Sequence, residues 1–228
     1  MQGYGKICLD TLCTALCSMH IIAGIGAWTL AKIALLAAYQ YNLAMTLIQL
    51  FAAIRASYVA VLTAAINQVN AHVEPAYRNA DGALALEGSP ALPCRADWIP
   101  LEGEYAGQSH TVDAKTQLEF EPFGFGMSGT EVSITPFTWD WLPLQISGLA
   151  PEPAEAILAD WFMAWFDAED NNAKNAEGLY GVVHFMSGIT QEDEALQVSI
   201  DLGSVSEAAL EDLLFKLTDA KAQSIQLG

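Results

Sequence analysis

From Thr11 to Ala71 the chain is almost continuously apolar or small, interrupted by only two full charges, Lys32 and Arg55. Thr11 to Ala31 and Ile33 to Ile54 hold no charged residue, and each is long enough to cross a bilayer core as a helix, which takes about 20 residues. Ala56 to Ala71 is amphipathic and ends in Asn67-Gln-Val-Asn70. The pattern admits three arrangements: a helical hairpin crossing a membrane twice, one membrane helix followed by an amphipathic one, or a single long helix packed against copies of itself. No proline precedes Pro75, and the polar cluster at Tyr39 to Asn42 offers the one credible turn, which favours long helix over hairpin. A buried helical pair in a soluble protein is the remaining reading. It is weakened because no polar face is visible from Thr11 to Leu36.

Past residue 74 the pattern changes. Residues 76–116 read as a connector, with Pro90, Pro93 and Pro100 alternating with Gly82, Gly88, Gly103 and Gly107 and no surviving period. The expected organisation is therefore 1–75 apolar and helical, 76–116 connector, 117–228 folded domain. Period-2 alternation marks strands over Gln117 to Glu121 and Glu131 to Thr135, with the glycine-rich Phe123 to Gly129 as the turn between them. An aromatic strand follows over Phe137 to Ile146. Pro151-Glu-Pro153 opens a helix running to about Ala168, since proline and acid suit a first turn. Leu179 to Ser187 and Ala195 to Leu202 are strands, Glu207 to Ala222 is a helix capped by Ser204 or Ser206, and Ser224 to Leu227 is a closing strand. The fold class expected is α+β: an apolar N-terminal helix or helical pair, then an antiparallel-sheet domain whose β-α-β-β-α-β order is ferredoxin-like.

Charge sharpens the division. Hydrophobic content is 53% and charged content 16%. The formal charge of −18 lies in the second half, where six Lys/Arg face 25 Asp/Glu, while residues 1–75 carry three against two. Such acidity repels phosphates and anionic headgroups, so no nucleic-acid partner is expected. A basic protein partner, a divalent cation or plain solubility are the readings that remain. The apolar run is too long for a signal-peptide h-region. Three of the four cysteines cluster in the apolar half, unlike a secreted disulfide framework.

Candidate chemistry is sparse. Cys13, Cys17 and His20 share one helical stripe with Asp10 and could ligate a thiophilic metal with a fourth group from elsewhere, but cysteine packs equally well as a small apolar residue. Lys32 must snorkel, end its segment, or pair with an acid on a neighbouring copy. His184 reads as a hydrogen-bonded histidine on a central strand rather than a base; His72 and His110 have no partner at a known spacing. No nucleophile elbow, phosphate loop, dinucleotide fingerprint or zinc-protease motif occurs. The acid clusters at 167–170 and 192–194 lack the calcium-loop pattern and read as solvated. No cofactor and no enzymatic activity are expected. Assembly contacts are expected at Trp28, Lys32, Leu36 and Leu47 in the apolar half. On the domain they are expected at Trp161 and Trp165, in a run apolar on more than one face.

A long apolar N-terminal helix, a loop and a small α/β domain together resemble the layout of type IV pilins and pseudopilins. The resemblance implies a membrane or cell-surface filament subunit whose helices bundle with copies of themselves or meet a lipid bilayer, with the acidic domain extracytoplasmic. The alternative is a membrane-anchored acidic accessory or immunity-type protein binding a basic partner.

Overall fold

A computed structural model of the protein describes residues 47–114 and 117–228. The chain divides into two compact units at residue 47, and the unit described is Ile48–Gly228. Among the described residues it is a mixed α/β structure with three helices and mostly antiparallel strands.

Helix α1 (Leu47–Ile66) runs unbroken through Arg55, the charge that separates two apolar windows of the sequence. By length and composition it is the one described helix able to cross a membrane. Its inward face instead packs into the folded unit: Phe51, Ile54, Tyr58 and Leu62 are all at most 2% exposed. Ala53, Ala56, Ala60 and Ala64 lie on the outward side. Arg55 fastens the helix, its Nε donating to the Val205 carbonyl (2.8 Å) and its Nη2 to the Ser204 carbonyl (2.8 Å) and Glu177 (2.8 Å). The domain boundary expected at residue 75 is thus corrected to the neighbourhood of residue 47, because the helix that precedes residue 75 supplies core side chains to the body.

The expected connector is also part of that body. Strands β1 (Ala71–Val73), β2 (Leu86–Glu87), β3 (Leu92–Pro93) and β4 (Trp98–Pro100) form two small antiparallel pairs, β1 with β4 and β2 with β3. Proline and glycine shorten the strands without releasing the segment, and Arg95 and Asp97 from it are buried.

The main sheet has the order β5-β6-β11-β7-β10-β8, with β9 also on β10. Its strands are β5 (Phe123–Met127), β6 (Thr130–Ile134), β7 (Leu142–Ser147), β8 (Phe185–Met186), β9 (Thr190–Glu192), β10 (Ala195–Asp201) and β11 (Ser224–Leu227). All neighbours are antiparallel except β11 with β6. Register places Val132 beside Ile225, Ile225 beside Ile146, and Ile146 beside Leu196, one apolar row across four strands. The alternate row is polar: Ser133, Gln226, Gln145 and Gln197. This period-2 division gives the sheet one face to bury.

That burial falls to α2 (Pro151–Phe166) and α3 (Glu207–Asp219). Leu158, Trp161, Phe162 and Phe166 of α2 and Leu210, Leu213 and Leu217 of α3 are fully buried. Each such side chain contributes about 1.5–3 kcal/mol by leaving water. Proline at the first positions of α2 suits its entry, and Asp167 in the left-handed conformation (φ 56°) ends it.

Several local expectations change, and of the strand expected over Leu179 to Ser187 only Phe185–Met186 forms. The glycine-rich Phe123 to Met127 is strand β5 itself, not the turn, and Gln117 to Glu121 is not a strand. Gly124 and Gly126 occupy alternate positions along it, and a Cβ at Gly124 would sit 3.2 Å from the Val132 carbonyl. The turn is Ser128-Gly129, both at positive φ, as a tight hairpin requires. The aromatic strand begins at Leu142 rather than Phe137, after a Thr138–Trp141 bridge.

Candidate functional site

Where α1, the segment after it and the open end of β10 meet, three carboxylates converge on His184. This histidine lies just before β8 and is tied by its backbone. Its N–H donates to the Asp201 carbonyl (3.1 Å) and its carbonyl accepts from the Arg95 N–H (3.0 Å). The ring is fully buried. Nε2 lies 2.8 Å from Glu74 Oε1, and Nδ1 lies 2.8 Å from Asp97 Oδ1 and 3.9 Å from Asp201 Oδ2. The Nδ1 contact is close, but its direction is wrong for a hydrogen bond, so Nδ1 is a buried polar atom without a hydrogen-bond partner.

Each carboxylate is positioned by backbone. Glu74 takes φ 49°, a conformation costing about 1–3 kcal/mol in a non-glycine residue. Its Oε2 accepts the Tyr180 N–H (2.6 Å). Asp97 accepts the Tyr58 hydroxyl on Oδ1 (2.7 Å), which links α1 to the cluster, and the Val112 N–H on Oδ2. Asp201 Oδ1 accepts the Gly203 N–H (2.9 Å). Gly203 sits at φ 52° against the ring: a Cβ there would come within 2.4 Å of His184 Cδ2. Only glycine fits this turn.

Arg95 encloses one side. Its side chain is 2% exposed and donates to the carbonyls of Glu74 (2.6 Å), Phe166 (3.1 Å) and Asp167 (2.7 Å) and to Asp170 Oδ1 (2.7 Å). The guanidinium also lies 4.6 Å from the Phe166 ring centroid. Thus it joins the region after β1 to the end of α2, without touching the Glu74, Asp97 or Asp201 carboxylates.

The electrostatics follow from burial and proximity. Burial disfavours the charged ring of His184, but the Asp97 carboxylate 2.8 Å from Nδ1, the hydrogen-bonded Glu74 and the nearby Asp201 charge outweigh it and raise its pKa to about 10. Burial likewise pushes Glu74 and Asp97 up, yet the adjacent His184 ring, hydrogen-bonded to Glu74 and 2.8 Å from Asp97, holds both below the usual carboxylate range. Asp201 goes the other way: burial pushes it up, against the pull of His184. Its side chain keeps 19% exposure, so water moderates that push.

His184 is therefore a buried, bonded histidine, as its sequence context suggests, but it precedes the terminal strand β8 instead of lying on a central strand, and it has three acidic neighbours that sequence reasoning missed. Of the other singled-out residues, Trp161 is sealed in the core with Nε1 donating to the Ala209 carbonyl (2.8 Å), so it is corrected from contact surface to core. Trp165 is half-buried and donates to Asp212 (3.0 Å). Leu47 is buried at the start of α1. Cys13, Cys17, His20, Trp28, Lys32 and Leu36 lie outside the described residues. His110 stacks on Trp98 at 4.2 Å, and His72 is exposed on β1. Asp170 is not a free loop charge, since Arg78 (2.8 Å) and Arg95 both grip it. Burial pushes the half-buried Cys94 thiol up, which makes it a poor nucleophile.

A shallow depression lined by Pro90, Glu152, Glu155, Ala156 and Ala159 shares no residue with the His184 cluster. Comparison with known protein families, characterised proteins and solved structures gives no match for this chain.

Proposed function

We propose that the protein is a non-enzymatic structural subunit, assembling through its apolar N-terminal part and presenting an acidic α+β domain to solvent in the manner of a pilin-like filament subunit. One observation carries this reading: α1, the continuation of the apolar stretch, is clamped to the acidic body by Phe51, Ile54, Tyr58 and Leu62 and by the Arg55 bonds. A helix held this way transmits position and load from an apolar assembly to a displayed domain. The non-enzymatic side of the reading is supported by closure, since His184 and Glu74 have no solvent exposure through which a substrate could reach them. Within the body, the β7-α2-β8-β10-α3-β11 segment has the order β11-β7-β10-β8 with all neighbours antiparallel, which favours a ferredoxin-like description of that part.

In this reading the partners are further copies of the chain or a lipid bilayer, at a membrane or cell surface with the domain extracytoplasmic. The charge of residues 76–228 favours a second reading, a membrane-anchored accessory whose acidic surface meets a basic protein. Electron microscopy of the full chain, with and without detergent, tests both. Filaments that persist without detergent are the expected outcome. Discrete particles extracted only by detergent would transfer the case to the accessory reading, and a detergent-free soluble monomer would sink both.

A further inference from the structure

The His184 cluster holds more negative charge than its own cations balance. Glu74, Asp97 and Asp201 surround one imidazole, and the neighbouring Arg95 spends its donors on backbone carbonyls and Asp170. The Asp140 charge also acts on Asp201, and its Oδ1, like His184 Nδ1, is buried without a hydrogen-bond partner. Groups of this kind are retained in a core when they are paired, hydrogen-bonded or bound to a metal.

The geometry points to a divalent transition-metal site, of the Zn²⁺ or Mn²⁺ class, formed by His184 Nδ1 and the Asp97 and Asp201 carboxylates. Three observations meet here. One ligand atom from each of these residues lies within 4.8 Å of the others. His184 Nδ1 is fully buried, 2.8 Å from Asp97 and 3.9 Å from Asp201, and without a hydrogen-bond partner. On the far side of the ring, Nε2 faces Glu74 Oε1 at 2.8 Å, while Glu74 is held by the Tyr180 N–H. A carboxylate on the remote nitrogen fixes the tautomer that leaves the other nitrogen's lone pair free for a metal, and raises its basicity. Glu74 is thus a positioning residue and not a ligand. Tyr58 on Asp97 and the Gly203 N–H on Asp201 orient the two carboxylates in the same way.

One imidazole with two carboxylates suits Zn²⁺, Fe²⁺ or Mn²⁺ better than Ca²⁺, which takes six to eight oxygens. A divalent ion here replaces the imidazole proton and cancels the excess negative charge. Asp201, with its side chain 19% exposed, marks the side from which an ion enters. Bound there, the ion would lock α1 through Tyr58–Asp97, the segment after β1, and the end of β10 into one unit. The role fits a load-bearing body as well as any other, and the site stands whether or not the chain forms filaments.

The test uses the full chain in detergent, stripped with chelator and exchanged into millimolar Mg²⁺ to occupy surface carboxylates. Zn²⁺ alone is then titrated by calorimetry, with the imidazole nitrogens followed by ¹⁵N NMR. One equivalent of Zn²⁺ that Mg²⁺ does not displace, together with a shift of the His184 Nδ1 resonance, is expected. Glu74→Gln should weaken binding about 10–100-fold, as the loss of an outer-shell partner does, and Asp201→Asn should weaken it further. The wild-type spectrum decides even where a variant fails to fold. No tight equivalent, or Zn²⁺ uptake that leaves the His184 nitrogens unmoved, overturns the site.

Discussion

The unit has two cores built on opposite principles. Between the sheet and α2/α3 the interior is built from apolar side chains: Val132, Ile146, Leu196, Trp161 and Phe162 are all buried, with no charge among them. At the open end of β10, under α1, the interior is Glu74, Asp97, His184 and Tyr58, all at most 1% exposed. The first core is non-directional and tolerates repacking of similar volume. The second is directional, because every oxygen and nitrogen must find a partner or cost free energy. The apolar core holds the α/β body together, whereas the polar one fixes where α1 and the segment after it attach.

The largest effects should come from truncation in each core, and they should differ in kind. Phe162→Ala should cost about 3–5 kcal/mol through lost transfer free energy and a cavity. Glu74→Ala should cost a similar amount, about 3–5 kcal/mol, because it strands charge on His184 and leaves the Tyr180 N–H unsatisfied. Denaturant unfolding of the two variants at several pH values separates the mechanisms. The Phe162→Ala loss should be the same at every pH, while the Glu74→Ala loss should vary. Equal, pH-independent losses would erase the distinction.

A pH series on the chelator-treated wild type probes the polar core directly. His184 binds its proton more tightly folded than unfolded, so its contribution is complete below the ordinary value near 6.5. It is lost as pH rises through about 10. Asp201, also pushed up, adds to the loss as pH rises out of the ordinary carboxylate range. Glu74 and Asp97 are held down, so their contribution is present above the ordinary carboxylate range and disappears as pH falls below it. The melting temperature should therefore peak in mildly acidic solution and decline on both sides. A flat profile from pH 6.5 to 10 would mean that the cluster does not hold its proton.

The apolar core was the legible one. The stripe Leu158, Trp161, Phe162 and Phe166 and the alternation over Ala195 to Asp201 follow from periods of 3.6 and 2, which short windows display. Helices α2 and α3 and strand β11 lie where those periods put them. The polar core was not legible, because its members come from residues 58, 74, 97, 184 and 201 and no spacing unites them. Glu74 next to Pro75 and Asp97 between Ala96 and Trp98 looked like turn and connector charges. The available signal was weaker: each is an isolated acid in apolar company. The same fault moved the domain boundary, since proline and glycine mark irregular backbone and do not say whether it is packed.

The smallest effect sharpens the contrast at one carboxylate. Asp170 receives Arg78 on Oδ2 and Arg95 on Oδ1, both within 2.8 Å, so a distance alone would rank the two arginines equal. Burial does not. Arg78 keeps 35% of its side-chain exposure and Asp170 48%, so water and salt screen their attraction, and Arg78→Ala should cost under about 1 kcal/mol and less at high ionic strength. Arg95, at 2%, serves three carbonyls besides Asp170, and its removal would leave those acceptors buried without donors. Unfolding of the two alanine variants at low and high salt should show a small, salt-dependent loss for Arg78 and a larger, salt-independent one for Arg95. If the two losses match, the Arg95 carbonyl bonds contribute nothing beyond the ion pair, and the polar core is weaker than its geometry implies.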